Sequence, residues 1–315
     1  MSQNTKIVLI GTGAVGSTFA YTVLIKGLAN ELVLIDANED KAMGDVLDLN
    51  HGLMLASPMK ITLGGYEDCA GADIIVIAAG AAQRPGETRI DLMNRNVAIF
   101  DQIIKNVTAH NDSAILLIAT NPVDILTQVA LKLSGWPKNR VIGSGTLLDS
   151  SRFRYLVAEK LGVDPRSVHG MIIGEHGDTE VPAWSALSVA GVNIDELPAE
   201  NPWHLNDEAK AEITEGTKRA AYHIIAKKGA TYYAIALSLA RICEAILKDQ
   251  RSILPVSSYL EDYQGISGVC LGVPSIVGRN GVEQVVELPL THTEGEQLRH
   301  SATTLANFLN EIGFA

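Results

Sequence analysis

A chain of 315 residues, 47% hydrophobic and 19% charged, can bury the core of one large domain or of two closely packed ones. Its formal net charge of -11, with no basic run to neutralise phosphates, excludes a nucleic-acid binder. Cys69, Cys243 and Cys270 form no C-x-x-C pair and no ligand spacing, so they read as reduced thiols and exclude a disulfide frame or a zinc site.

The first residues lead straight into a strand, leaving no room for a signal peptide, and a cytoplasmic protein is expected. The short β-branched run at 6–10 predicts a strand buried on both faces. It meets Gly11-Thr12-Gly13-Ala14-Val15-Gly16, a G-x-G-x-x-G run from which a helical pattern continues to about Lys26. Gly11 permits the tight turn, Gly13 lets backbone approach a pyrophosphate, and Gly16 lets the helix pack close on the sheet. The helix N-terminus, with Val15 in its first turn, offers free N–H groups and a positive dipole end to the phosphates. A second strand at 31–35 ends in Asp36, whose carboxylate can accept the ribose hydroxyls and repel a 2′-phosphate. NAD is the expected cofactor.

Strands at 61–63, 74–78, 115–118 and 141–142 follow, and helical patterns begin near Asn38, Arg89, Pro122 and Thr146. This alternation predicts a Rossmann-type doubly wound parallel sheet, with ligands beyond the strand C-termini. No linker appears, so residues 1–145 are expected as a cofactor domain packed directly on a mixed α/β substrate domain at 146–315.

Between these strands lie the stretches that carry chemistry. Gly80 to Arg89 reads as a polar lid over the cofactor crevice, from which Arg89 can swing in and polarise a carbonyl. A solvated arginine opening a helix is the plainer alternative. Pro122 leaves Asn121 extended at the crevice, where its amide can bond a substrate oxygen or the nicotinamide, unless this is simply an Asn-Pro turn. On the next helix Asp149 and Arg152 are i and i+3 and share a face, whereas Arg154 points roughly opposite and cannot serve the same site. Arg152 can hold a carboxylate by a bidentate fork, and Asp149 can hold one ring nitrogen of a histidine.

That histidine comes next. The buried run Met171-Ile172-Ile173 turns through Gly174-Glu175-His176-Gly177, presenting His176 at a strand end, open to a cleft. These residues together suit the reduction of a 2-keto acid without a metal. An arginine fork anchors the carboxylate, a nicotinamide gives hydride, a protonated histidine gives the proton, and a second arginine stabilises the alkoxide. Farther on, helical patterns at 206–227 and 230–247, antiparallel strands at 253–259, 269–274 and 281–287, and an amphipathic helix at 293–311 complete the chain. The run 231–247 contains Arg241 and Glu244 and is shorter than the roughly 20 apolar residues of a bilayer span, so no membrane role is expected.

The stretches GTGAVG, VLID, GAAQRPGETR, ATNPVD, LLDSSRFR and GEHGDTEVP jointly resemble the L-lactate dehydrogenases of the lactate/malate dehydrogenase family over nearly the entire chain. The resemblance implies His176 as proton donor and acceptor, Asp149 as its orienting partner, Arg152 on the substrate carboxylate and Arg89 at the carbonyl. It also implies that Asn121 and Thr231 line the pocket; without it, Thr231 reads as a helix N-cap. Malate enzymes similar to this chain carry an arginine six residues before the lid arginine, for the substrate's second carboxylate. Here that position is the neutral Gln83, where a buried second carboxylate lacks a cation, and Glu87 repels a dianion. Pyruvate is therefore expected over oxaloacetate, although Arg84 in a shifted lid register keeps malate dehydrogenase as the alternative.

In the bisphosphate-responsive bacterial members, an Arg and a His matching Arg154 and His169 meet their symmetry mates around two phosphates. Fructose 1,6-bisphosphate is accordingly an expected effector and a homotetramer the expected assembly. Two other classes compete. An NAD-dependent glycosidase needs Cys and His metal ligands that no motif here supplies, and a non-catalytic relative is expected to lose one of His176, Asp149, Arg152 and Arg89.

Overall fold

The computed structural model of the chain describes residues 4–81 and 89–315, the side chain of Arg89 excepted. In chain order β1 (Lys6–Ile10), α1 (Ala14–Lys26), β2 (Glu31–Ile35), α2 (Glu39–His51), β3 (Lys60–Leu63), β4 (Ile74–Ile77), α3 (Arg89–Thr108), β5 (Ile115–Ile118), α4 (Val123–Ser134), β6 (Val141–Gly143) and α5 (Leu147–Leu161) realise the alternation. The strands pair parallel in the order β3-β2-β1-β4-β5-β6. Helices cover both faces, which is why these strands are apolar without alternation. Ile7 and Leu9 pack with Phe19 and Val23 of α1, while Val8 and Ile10 belong to the opposite cluster with Phe100 and Ile104 of α3. Each such fully buried side chain contributes about 1.5–3 kcal/mol. The order reverses between β1 and β4, placing a crevice beyond their C-termini.

The segment after α5 is built from two-residue strands: β7 (Val168–His169), β8 (Ile172–Ile173), β9 (Val181–Pro182), β10 (Ser188–Val189) and β11 (Val192–Asn193). Strands β11-β10-β7 form one small sheet and β8-β9 another. Strands this short carry no periodicity, so only the apolar run around β8 was visible in the sequence. Then come α6 (Asp207–Lys228), α7 (Tyr233–Leu247), β12 (Ser252–Tyr259), β13 (Cys270–Gly278), β14 (Gly281–Val285) and α8 (His292–Glu311).

The last three strands do not form a sheet of their own. Strand β12 meets β6 antiparallel at Ser257 and Gly143, so β12, β13 and β14 extend the parallel sheet to nine strands. Gly143 permits the approach, because a Cβ there would lie 2.8 Å from the Ser257 Cβ and 2.4 Å from the Thr127 hydroxyl. Thr231 does not cap a helix. The chain leaves α6 through Gly229 at φ 84, residues 230–232 are spent in turning, and the α7 N-cap is Tyr232, without a side-chain bond. Among the described residues no helix is long and apolar enough to cross a membrane.

Candidate active site

The crevice between β1 and β4 is shaped by its glycines. Gly11 has φ 98, and a Cβ there would lie 2.4 Å from the Ala79 backbone nitrogen, so only glycine fits the turn. A Cβ on Gly16 would lie 1.9 Å from the Gly11 carbonyl oxygen, which is what allows α1 to start against the turn. Gly13 instead faces open space, with nothing within 4 Å of its Cβ position, and it is the α1 N-cap with no side-chain bond to the helix amides. The N-terminus of α1, including the turn that holds Val15, is thus a dipole end with no side-chain cap, open at Gly13. That cradle fits the diphosphate of a dinucleotide.

Asp36, just past β2, accepts the Thr12 N–H at 2.6 Å and the Asn38 N–H at 2.9 Å. Burial alone pushes its pKa up, but these bonds and nearby Lys41 outweigh it and hold the carboxylate below its ordinary value. It stays charged at the end of β2, an acceptor for a hydroxyl brought there.

The catalytic candidates come from α5 and the loop after β8. The Thr146 hydroxyl donates to the Ile172 carbonyl at 2.6 Å, and the Ile172 N–H donates to the Ser150 hydroxyl at 2.9 Å, strapping α5 to β8. Asp149, one turn into α5, thereby meets the His176 ring, with 2.5 Å between its Oδ2 and Nδ1. Its other oxygen accepts Arg152 Nη1 at 2.8 Å. The Asp149 side chain is 2% exposed, while those of Arg152 and His176 keep 13% and 23%. The buried carboxylate is held low by the two cations despite its burial. Burial works against the imidazolium too, yet Asp149 outweighs it and raises the ring from 6.5 to about 9. Because the folded value exceeds the ordinary one, the charged pair adds stability that is complete below about pH 6.5 and lost as pH rises through about 9. With Nδ1 taken, Nε2 is the nitrogen left to face a ligand.

The loop that carries His176 is pinned from three directions. The N–H of Gly174 donates to the Gly272 carbonyl of β13 at 2.8 Å, that of Glu175 to the Ser301 hydroxyl of α8 at 2.7 Å, and that of His176 to Asp124 Oδ2 of α4 at 2.8 Å. Gly174 itself has φ 93, and a Cβ there would press on Ser301 Oγ at 2.9 Å.

Sequence reasoning missed Asp124, Ser301 and Glu180. Glu180 is 6% exposed and its Oε1 has no hydrogen-bond partner among the described residues; burial foremost, then the charge of Asp149, push its pKa up to about 8. It borders a cavity of about 860 Å³ between α6 and α8, which Lys218 and His300 also line. One signal was available: Asp124 stands in Val123-Asp124-Ile125-Leu126, and an acid inside an apolar helical run is a buried acid with a partner elsewhere.

The other expected residues are dispersed. Arg154 lies away from the trio, as the helix geometry required, lining a cavity of about 420 Å³ with Arg166 and Arg241. Its Nε is buried without a hydrogen-bond partner among the described residues, and burial depresses its pKa. His169 is exposed on β7, next to Gly170, which lines the same cavity. Asn121 is exposed before a cis bond to Pro122, with α4 starting directly after it, and Thr231 lies in the α6–α7 junction. Among the described residues no hydrogen bond joins Asn121 or Thr231 to the trio. Gln83, Arg84 and Glu87 lie outside the described residues, as does the Arg89 side chain. No group of three or more His, Cys, Asp or Glu among the described residues is arranged to hold a metal ion.

Residues 5–143 match the family described as lactate/malate dehydrogenase, NAD binding domain, and residues 146–313 match its alpha/beta C-terminal domain. An L-lactate dehydrogenase of Acetivibrio thermocellus is 52% identical over 307 residues, covering 98% of this chain and 97% of that protein. One from Halalkalibacterium halodurans is 53% identical, covering 97% of this chain and 96% of that protein. Among solved structures, the minor L-lactate dehydrogenase from Enterococcus mundtii, in its ligands-bound form, superimposes with a TM-score of 0.95 at 44% identity, covering 98% of each chain.

Proposed function

Since the chain belongs to the lactate/malate dehydrogenase family, with an NAD-binding N-terminal half, we propose that it is an NAD-dependent L-lactate dehydrogenase that interconverts pyruvate and L-lactate. The observation that carries this reading is the His176–Asp149–Arg152 constellation, two cations held by one buried carboxylate, in a chain whose N-terminal half carries a dinucleotide cradle. When bound between Gly11, Gly13, Val15, Gly16 and Asp36, NADH supplies the hydride for the carbonyl carbon. Arg152 engages Asp149 through Nη1 and turns the rest of its guanidinium to the substrate carboxylate. The His176 imidazolium donates its Nε2 proton to the carbonyl oxygen, and Asp149 stabilises the charge and fixes the ring until that step. Arg89 and Gln83 act from the lid, on the carbonyl and the substrate methyl group, and Asn121 and Thr231 complete the pocket.

The deciding experiment is NADH oxidation at neutral pH with pyruvate and with oxaloacetate. A strong preference for pyruvate is expected; a preference for oxaloacetate means that Arg84, not Gln83, meets the substrate, and the chain is then a malate dehydrogenase.

pH dependence follows from the raised histidine. Pyruvate needs the imidazolium, so its KM stays flat through neutrality and climbs about ten-fold per unit once pH exceeds about 9. Lactate needs the neutral ring, so its KM falls as pH rises toward about 9 and levels off above it. Initial rates from pH 6 to 10 test this, and a pyruvate KM that rises from pH 6.5 instead removes Asp149 as the partner that sets the pKa.

Activation by fructose 1,6-bisphosphate, through Arg154 and His169 of paired subunits in a cytoplasmic homotetramer, belongs to the same reading. In its favour are the Nε of Arg154, unpartnered among the described residues, in an arginine-lined cavity beside His169, and exposed apolar side chains such as Met54 and Leu55, 93% and 91% accessible, that suit burial against other copies. The bisphosphate is expected to lower the KM for pyruvate; superimposable saturation curves with and without it remove the effector.

A further inference from the structure

We infer that Ser301 of α8 is a positioning residue for His176, acting through a closed ring of hydrogen bonds with Thr179 and Glu175 that clasps the catalytic loop. This rests on His176 being the proton donor of the proposed reaction.

The loop cannot hold its own shape. Gly174 and Gly177 stand on either side of Glu175-His176, and glycine gives a backbone little conformational preference. The geometry must be imposed by neighbours. Ser301 is fully buried on α8, and its Oγ accepts the Glu175 N–H at 2.7 Å. Thr179 Oγ1 lies 3.0 Å from the same oxygen. Thr179 in turn donates its O–H, and at 3.3 Å its N–H, to Glu175 Oε2.

The direction of the ring follows from its protons. A hydroxyl has one proton and two lone pairs, and an ionised carboxylate can only accept. Thr179 spends its proton on Glu175, so the Ser301 hydroxyl supplies the proton shared between Ser301 and Thr179. The path then runs one way, from the Glu175 N–H to Ser301, on to Thr179, and back to the Glu175 carboxylate. Each donor polarises the next and the ring ends on a charge, so its members strengthen one another. It bridges residues 175 and 179 and encloses the turn that carries His176.

The helix beneath is a firm base. Glu294 in its first turn accepts the Ser185 N–H at 3.0 Å and the Ser185 hydroxyl at 2.7 Å. Leu298 and Leu305 are buried in one cluster with Ile173 of β8 and Val181 of β9, the strands at the two ends of the loop. A hydroxyl at this depth is costly unless bonded, and this one spends its bonds on the loop. Ser301 therefore sets the backbone next to the histidine from a helix that carries none of the trio.

Four variants of the full chain test this: Ser301→Ala, Thr179→Val, Thr179→Ser, and the double variant that combines the first two. Opening the ring at Ser301→Ala or at Thr179→Val is expected to misplace the donor and lower kcat by about 10- to 100-fold. NADH affinity by fluorescence stays unchanged, and KM for pyruvate moves little because Arg152 reaches the substrate from α5. Thr179→Ser keeps the hydroxyl and is expected to restore wild-type turnover. Both single variants break the same ring, so the double variant is expected to be no slower than the slower of them, whereas independent damage multiplies the two losses. A wild-type kcat for a folded Ser301→Ala or for Thr179→Val overturns the inference. So do equal losses in Thr179→Val and Thr179→Ser, or multiplied losses in the double variant. If Ser301→Ala does not fold, the two Thr179 variants decide alone. His176→Asn serves as the control: if it turns over like the wild type, the proton-donor reading is what has failed, and the role of Ser301 falls with it.

Discussion

His176→Asn is expected to lower kcat for pyruvate reduction by about 10²- to 10⁴-fold, the range that a positioned general acid contributes. The asparagine amide can still donate to Asp149 Oδ2, which lies 2.5 Å from the ring nitrogen it replaces, so the buried carboxylate is not left without a donor. It cannot release a proton at any working pH. The cradle at Gly11 and Gly13 and the Asp36 carboxylate lie in the turns that follow β1, precede α1 and follow β2, on elements other than α5 and β8, so NADH binding is expected to stay as in the wild type. Stopped-flow turnover beside an NADH titration reads both quantities. Turnover within ten-fold of the wild type would falsify the assignment of His176.

The second large effect falls on binding. Arg152→Lys keeps a positive charge but loses the planar fork, and Arg152→Gln loses the charge as well. Breaking a buried, hydrogen-bonded charge pair costs about 3–5 kcal/mol, so kcat/KM for pyruvate is expected to fall by roughly 10²- to 10⁴-fold, most of it in KM. The two variants differ in a way that mere structural damage does not explain. Arg152 opposes the imidazolium electrostatically, so its removal in Arg152→Gln lets the His176 pKa rise further, whereas the lysine leaves it near about 9. An Arg152→Gln enzyme with an unchanged KM for pyruvate removes Arg152 from the substrate site.

The expectations that held were those resting on local physics. The β-branched runs became the six parallel strands, and G-x-G-x-x-G became a turn in which Gly11 and Gly16 allow contacts that no Cβ tolerates. Asp149 and Arg152, one helical turn apart, did become neighbours. Thr231 failed as a cap because a polar residue before a helical pattern does not reveal how many residues the chain spends turning out of the preceding helix. Strands β12–β14 were recognised as strands, but their pairing with β6 was not foreseen, since pairing depends on which edge the fold leaves open.

By itself, then, the sequence determined the parallel α/β layering, the dinucleotide cradle and the side chains able to move a proton and hold an anion. Each of these follows from residue type and spacing over a few turns of chain. Only the tertiary structure decided what surrounds the histidine. Asp124 lies 52 residues before His176, and Ser301 lies 126 residues beyond Glu175. No periodicity links such distant positions. Sheet order and helix packing bring them together, and at that range burial and charge, not propensity, set the pKa on which the proposed chemistry turns.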